Sequence, residues 1–395
     1  MTRPAIVLGL QPAGLALARS LGRRGVPVTG IAFERADFGL RSRYVRERHL
    51  VLEEDDARRD ARALDVLRTA AVSDGPVVVV PERDAHVDFV LRNEDAVRAL
   101  AAVPLPDDRA AVDALRDKRS LAEVAERAAL ETPRTVPLPD EDAVRACPLP
   151  RPFLLKPLES ERFAAAFSRK VVVVERDEDA LEAWRSARAA GFELFAQDLV
   201  PGSTDRILSL FAYIGTTGAL LGSVVGRKVR QGPPGFGAST IFRTELDDEV
   251  LEAGARLLAS VGYRGFAHVE LVRDPRDGAL KLLEVNTRLP VWAGVGMSPR
   301  YDVAPLAYAD LCGDEPEPLP PFAERLAWTY LAKDVVTVAR LARRRELDLA
   351  SAVRPYRESR VPAVRSPGDR GPGYAVVTWW LTRAVEKLCD RRKAV

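Results

Sequence analysis

The sequence predicts a multidomain α/β protein that opens with a parallel sheet, turns antiparallel in its second half and ends in a helical tail. Three observations predict it. Near the N-terminus short apolar runs alternate with helix-patterned segments, from residue 206 two strand patterns meet around a glycine-containing turn, and the last segment is largely helical in pattern. At 395 residues and 47% hydrophobic content, the chain is too long for one ordinary core and rich enough for two or three.

In order, "PAIVLGL" reads as a short strand, "QPAGLALARSLGRRG" as a helix and "VPVTGIAF" as a second strand. The segment 65–100 gives a helix, a continuous buried strand from Val77 to Val80, and another helix. This alternation predicts a small Rossmann-like domain over 1–105, with helices on both faces of its sheet. Over 106–200 a helix, "AAVDALRDKRSLAEVAERAAL", and a proline-spaced connection lead into strand, strand, helix, strand: "FLLKPLE", "RKVVVVE", an acid-started helix, then "LFAQDLVPG". Over 201–323 come two strands, a Gly/Pro-rich loop "GPPGFGAS", a helix and the hairpin "FAHVELVRDPRDGALKLLEVN", whose turn is "DPRDG". Residues 324–395 form the helical tail, with a proline-punctuated insert at 354–373.

Composition excludes several classes. A net charge of +2 gives no global electrostatic case for nucleic acid. Cys147, Cys312 and Cys389 show no metal or redox spacing, and with three histidines a His/Cys metal site is not expected. No secretory leader pattern opens the chain and no apolar run approaches the roughly 20 residues of a membrane span, so a cytoplasmic protein is expected. Only eight of the 59 basic residues are lysine, which makes each lysine informative. Gly9 and Gly14 stand between the first strand and helix without a full dinucleotide fingerprint or a P-loop. A tight turn, an anion or substrate at the helix N-terminus, and a nicotinamide site with Glu34 as ribose acid all remain open there.

The chemistry concentrates in "LKLLEVNTRLP", residues 280–290. Alternate residues of a strand share a face, so Glu284, Asn286 and Arg288 point together as the strand leaves the sheet. The other arm of the hairpin carries Glu270 among apolar neighbours. Two carboxylates and an amide oxygen crowd one another unless a cation neutralises them, and an all-oxygen set suits Mg²⁺ or Mn²⁺. A solvated strand end with surface ion pairs is the simpler alternative, but acids inside such apolar strands argue against it.

"HVELVRD…LKLLEVNTRLP" resembles the metal-binding hairpin of the ATP-grasp superfamily. That resemblance implies an ATP-grasp fold, with Glu270, Glu284 and Asn286 as metal ligands and Arg288 on phosphate or an acyl-phosphate. It also implies nucleotide cations at Lys118 ("DK" opening a helix) and Lys156 (at a strand end), a hinge at Gln197–Asp198–Leu199 for adenine, and Asp198 or Asp205 for the amino group or ribose. The stretch 158–170 would be the phosphate flap, with Ser160 and Lys170 reaching phosphate, although it lacks the glycine run of many such flaps. Arg227, Lys228 and Arg230 in "GRKVRQGPPGFGAST" are candidates for an anionic substrate, and alternation puts Lys228 and Arg230 on one face with Arg227 opposed. Together with "KPLESERF…SRKVVVVE" and the opening glycines, these motifs resemble the carboxylate–amine ligase branch that includes D-aspartate ligase, over about residues 1–320.

The implied activity is amide formation from a small carboxylate and an amine, with ATP and Mg²⁺, through an acyl-phosphate. A carboxylating ATP-grasp enzyme, a non-catalytic nucleotide-binding module and a nicotinamide oxidoreductase are the rival classes. The absence of a Ser/His/Asp or Cys/His constellation fits chemistry done by positioning and charge. For "YAVVTWWLTRAVEKLCDRRK" the sequence predicts an amphipathic helix, packed on the body or touching a membrane surface.

Overall fold

The computed structural model describes residues 3–74, 77–202, 206–358 and 360–393. The first sheet is built from β1 (Ala5–Leu8), β2 (Val28–Ala32), β3 (Glu47–Leu50), β4 (Val77–Pro81) and β5 (Ala101–Ala102), all parallel, in the order β3-β2-β1-β4-β5. β1, β2 and β4 are buried along their whole length, as strands covered on both faces should be. β3 has no such signal, since its residues are mostly exposed at the sheet edge, and the sequence pattern did not reveal it. Gly14 lies on the helix Pro12–Arg23, where a Cβ would come within 2.1 Å of the Gly9 carbonyl oxygen. A Cβ on Gly9 would meet the His86 ring at 2.1 Å, so this glycine pair exists for close packing.

The second sheet joins β6 (Thr135–Pro137), β7 (Phe153–Pro157), β8 (Val172–Val174) and β9 (Leu194–Asp198) in the order β6-β9-β7-β8, all antiparallel. β6 corrects the expected proline-spaced connection: Thr135, Val136 and Pro137 pair along β9 at a sheet edge, where a proline costs no ladder bond. The expected flap loop is also corrected, because residues Ser160–Phe167 form a helix. Its Phe163 and Phe167, one turn apart, stack at 4.6 Å and both pack on Phe192. This unit has its own core, running from Leu138 to Ala196. The preceding helices Arg109–Arg116 and Leu121–Arg127 belong elsewhere: Val112, Leu115, Val124 and Ala125 pack into a core shared by the first sheet and the third.

The third sheet contains β10 (Ile207–Ile214), β11 (Leu220–Gly232), β12 (Ala238–Thr244), β13 (Gly265–Arg273) and β14 (Leu280–Asn286). After a two-residue pairing of β15 (Met297–Ser298) with β16 (Tyr301–Asp302), the tail adds β17 (Ala327–Thr329) and β18 (Arg360–Pro362). The order is β14-β13-β10-β11-β12-β17-β18, with only β17 and β18 parallel. The tail is therefore not purely helical, and the sheet runs across the 323/324 boundary drawn from sequence. One face of this sheet packs Leu208, Leu210 and Ala212 against Val250, Ala253 and Leu257 of the helix Asp248–Ser260. The other looks toward the first domain, with Phe211, Phe242 and Trp292 in a second core.

The tail also reaches back to the beginning of the chain. Asp369 is buried and accepts hydrogen bonds from Arg19 Nε (2.8 Å), Ser42 Oγ (2.7 Å) and the Arg43 amide (2.9 Å). No helix among the described residues is long and apolar enough to cross a membrane.

Candidate active site

β13 and β14 meet with Glu270 directly opposite Glu284, Val269 opposite Val285 and His268 opposite Asn286. Strict alternation would put Leu280, Leu282 and Glu284 on one face. The ladder avoids this with a bulge: Leu271 pairs with Leu282 and Glu270 with Glu284, leaving Leu283 as the extra residue. Leu280, Leu282 and Val285 thereby stay in the core while Glu284 and Asn286 turn to the opposite side, beside Glu270 and His268. The expectation that Glu270, Glu284 and Asn286 converge rests on this slip, which the sequence did not announce.

Around that point the charges are specific. Glu270 Oε2 accepts from Lys228 Nζ at 2.9 Å, and Glu270 Oε1 lies 3.5 Å from His268 Nε2. Burial by itself would raise the Glu270 carboxyl, but the Lys228 ammonium outweighs it and holds the group below the usual carboxylate range. His268, buried edge-on against Trp292 at 5.5 Å, is pushed down to about 4 by desolvation and is neutral at physiological pH. Glu284 is exposed and makes no ion pair among the described residues. Asn286 Oδ1 accepts from Arg288 at 3.0 Å, and the same guanidinium donates to Asp84 Oδ2 at 2.7 Å. Asp84 opens the helix Asp84–Arg92 of the first domain. Burial would raise its carboxyl, yet Arg288 brings it down to about 2.

The expected nucleotide cations approach the same hairpin. Lys156 sits at the end of β7, its ammonium disfavoured first by burial and favoured by Glu284 and Glu270. Lys118 donates to the Pro157 carbonyl (2.7 Å) and Ser160 Oγ (2.6 Å), and burial lowers it to about 8 against the pull of Glu284. Lys170 is exposed, and its charge is felt at Glu270, Asp84 and Lys118. The hinge residues Gln197 and Asp198 end β9, and Leu199 follows it, half-buried. The Asp198 amide donates to the Arg134 carbonyl and its carboxylate takes Arg276 of the hairpin turn at 2.6 Å, so any ligand there competes with an existing ion pair. Asp205 lies outside the described residues.

Other candidates are placed elsewhere. Arg230 is buried: it pairs with Asp334 at 2.5 Å and donates to the carbonyls of Ser351 and Ala352, which makes it a strut between β11 and the tail. The register with β12 is irregular here, Lys228 facing Phe242 and Arg230 facing Ile241, so the single shared face expected of Lys228 and Arg230 is not formed. Arg227 pairs with Glu245. At the glycine turn, the helix N-terminus is filled by the protein's own acid. Glu82 accepts from the amides of Gln11 (2.9 Å), Ala13 (3.0 Å) and Gly14 (3.0 Å), and Glu34 pairs with Arg83. An external anion or a dinucleotide phosphate at that turn would have to displace Glu82.

Sequence reasoning missed Asp84, Glu82 and Lys333. The signal for Lys333 was lysine scarcity: of eight lysines, Lys118, Lys156, Lys170, Lys228 and Lys333 all share this neighbourhood, where Lys333 is lowered by burial and by Arg83.

The residues fit a hard divalent cation. The donors are two carboxylates at one register position and an adjacent amide oxygen, with Glu284 carrying no cation partner of its own among the described residues. No group of three or more His, Cys, Asp and Glu side chains among the described residues is arranged to hold a metal, so such a site depends on Asn286 and on a ligand's own oxygens.

No protein-family model matches the chain. It is 26% identical over 217 residues to the D-aspartate ligase of Enterococcus faecium (strain Aus0004), covering 52% of this chain and 51% of that one. The chain thus spans about half the length of the curated relative it matches. Among solved structures, an L-amino acid ligase from Bacillus licheniformis superposes with a TM-score of 0.58 at 19% identity, over 80% of this chain and 75% of the other. A biotin carboxylase from Campylobacter jejuni, solved as a β-γ-ATP complex, gives 0.61 at 18% identity, over 80% and 72%. At these identities the two structures speak for the fold.

Proposed function

Because the chain has the ATP-grasp fold, we propose that it is an ATP-dependent carboxylate–amine ligase, joining an amino acid or small carboxylic acid to an amine and releasing ADP and phosphate. The observation that carries this reading is the pairing of Glu270 with Glu284 across one hairpin, with Asn286 one pair further on and Lys118 and Lys156 converging on the same acids. The sequence likeness to a D-aspartate ligase and the fold likeness to an L-amino acid ligase support amide formation.

In this mechanism Glu270, Glu284 and Asn286 would hold Mg²⁺ or Mn²⁺. A bound divalent ion neutralises the charge that builds on transferring phosphoryl oxygens. Lys118, Lys156 and Lys170 would take nucleotide phosphates. The base would meet the chain just after β9, at Leu199, since the Gln197 and Asp198 backbone is already paired within the sheet and the Asp198 carboxylate is held by Arg276. The substrate carboxylate attacks the γ-phosphorus; the bond to the β–γ bridging oxygen breaks and ADP leaves. The amine then attacks the acyl-phosphate carbonyl, phosphate departs and the amine proton is lost to solvent. Arg288, held by Asp84 and Asn286, presents a fixed guanidinium to the acyl-phosphate, and Lys228 offsets the Glu270 charge beside it. Arg230 has no part in this set, being committed to Asp334.

The test is an ADP-release screen of amino acids and small acids in pairs, with mass spectrometry of the product. An amide product supports the ligase. A carboxylated product would favour the second reading, a carboxylase, which the fold likeness to biotin carboxylase keeps in view.

A further inference from the structure

Over residues 371–382 the helix Gly371–Lys393 carries apolar side chains on two sides. One side is docked: Val376 is buried, Trp380 packs on the second core, and Gly371 approaches the body so closely that a Cβ would lie 2.1 Å from the Arg41 carbonyl oxygen. The other side is bare. Tyr374, Val377 and Leu381, spaced three and four apart, are 66%, 57% and 62% exposed, and the same spacing continues in the sequence through Val385 and Leu388. A helix with a second apolar stripe outside the core has a surface to cover.

This stripe belongs to a wider asymmetry. Of the eleven large hydrophobic residues exposed among the described residues, seven lie in 324–395. The same segment holds sixteen Lys and Arg against eight Asp and Glu, a net +8, while residues 1–323 sum to −6. Residues 383–393 alone carry five basic and two acidic residues. A like-charged tail disfavours a second copy of itself as the cover, because two such faces repel. Charge alone would suit a nucleic acid, but a bare Tyr/Val/Leu stripe finds nothing to bury itself in on a phosphate backbone. An anionic lipid surface satisfies both features, taking the apolar stripe below its headgroups and the cations among them.

We propose that the outer face of this helix, built on Tyr374, Val377 and Leu381, docks the protein on the surface of an anionic phospholipid bilayer. The arrangement is peripheral: the helix lies in the interface and its inner face stays on the body. The proposal stands apart from the catalytic reading, since none of these residues touches the β13–β14 hairpin.

The experiment is flotation of the full chain with vesicles of phosphatidylglycerol and phosphatidylcholine, and separately of phosphatidylcholine alone. The wild-type chain is expected to float with the anionic vesicles, to be released by added salt, and to stay behind with the neutral ones. Tyr374→Ser, Val377→Ser and Leu381→Ser together should weaken vesicle binding by about tenfold or more while leaving thermal unfolding and nucleotide turnover unchanged. If that combination fails to fold, Leu381→Glu alone, at an exposed position, serves the same purpose. The proposal is overturned if the wild-type chain ignores anionic vesicles, or if the serine variant floats as well as wild type, which would mean that charge alone binds. It is equally overturned if the serine variant instead dissociates a dimer seen by light scattering, or if the chain binds duplex DNA but no vesicle.

Discussion

At the scale of single residues, the candidate centre is a balance of buried charge. Glu270 is already neutralised by Lys228, whereas Glu284 stands exposed opposite it. Glu284→Gln should therefore leave the unfolding midpoint unchanged, whereas Asn286→Ala, which removes a buried amide and its bond from Arg288, should cost about 1–2 kcal/mol. Both should lower nucleotide turnover by about 10²–10³-fold. Retained turnover would remove these residues from the site. Lys118 gives a pH test. Its ammonium is held to about 8 chiefly by burial, so it loses its charge in the folded protein well before a free lysine would. Nucleotide affinity should fall as pH rises through 8, and Lys118→Arg should flatten that profile. Unfolding cannot explain the loss. The unfolded chain keeps this proton up to about 10.4, so between the two values the unfolded state binds more protons and the contribution to stability rises with pH. The acids of the hairpin and the lysines were legible because their chemistry is rare in apolar strands. Asp84 and Glu82 were not, because each gains its meaning from a partner more than sixty residues away.

At the scale of elements, the hairpin works because it is irregular. The sequence declared two strands and a turn, but not the bulge at Leu283 that separates core from cleft. Nor did it declare the helix Ser160–Phe167, whose stability comes from Phe192 on another segment. Edge strands such as β3 and β6 escaped for a similar reason: they are short and half-exposed, so no apolar run marks them. The Asp84–Arg288 pair is a polar link from the first domain to the end of the hairpin arm. Asp84→Asn should leave the Michaelis constant for nucleotide near wild type and lower turnover by about 10- to 100-fold, as loss of an orienting partner does. A change in nucleotide affinity alone would show that Arg288 does not depend on Asp84.

At the scale of the molecule, the first and third sheets share two large cores while the β6–β9 unit keeps its own, and the proposed ligand cleft is the one flanked by the first domain, the β6–β9 unit and the hairpin. A nucleotide bridging them binds the folded state alone, so MgATP at a hundredfold excess over its dissociation constant should add about 2.7 kcal/mol to stability. Glu284→Gln should lose the part of that thermal shift that needs Mg²⁺. An identical shift with ATP in chelator would sink the metal assignment. Domain order was legible from the switch between parallel and antiparallel patterns, whereas the tail's two strands and its return to the start were not, since such long-range pairing leaves no local mark. That return has a consequence for how the chain is made. The Arg19 guanidinium is sequestered against Asp369, 350 positions later. At ribosomal speeds of about 5–20 residues per second, the wait is on the order of tens of seconds. During translation the first domain must keep that cation hydrated, and it reaches its final form only as the last part of the polypeptide emerges.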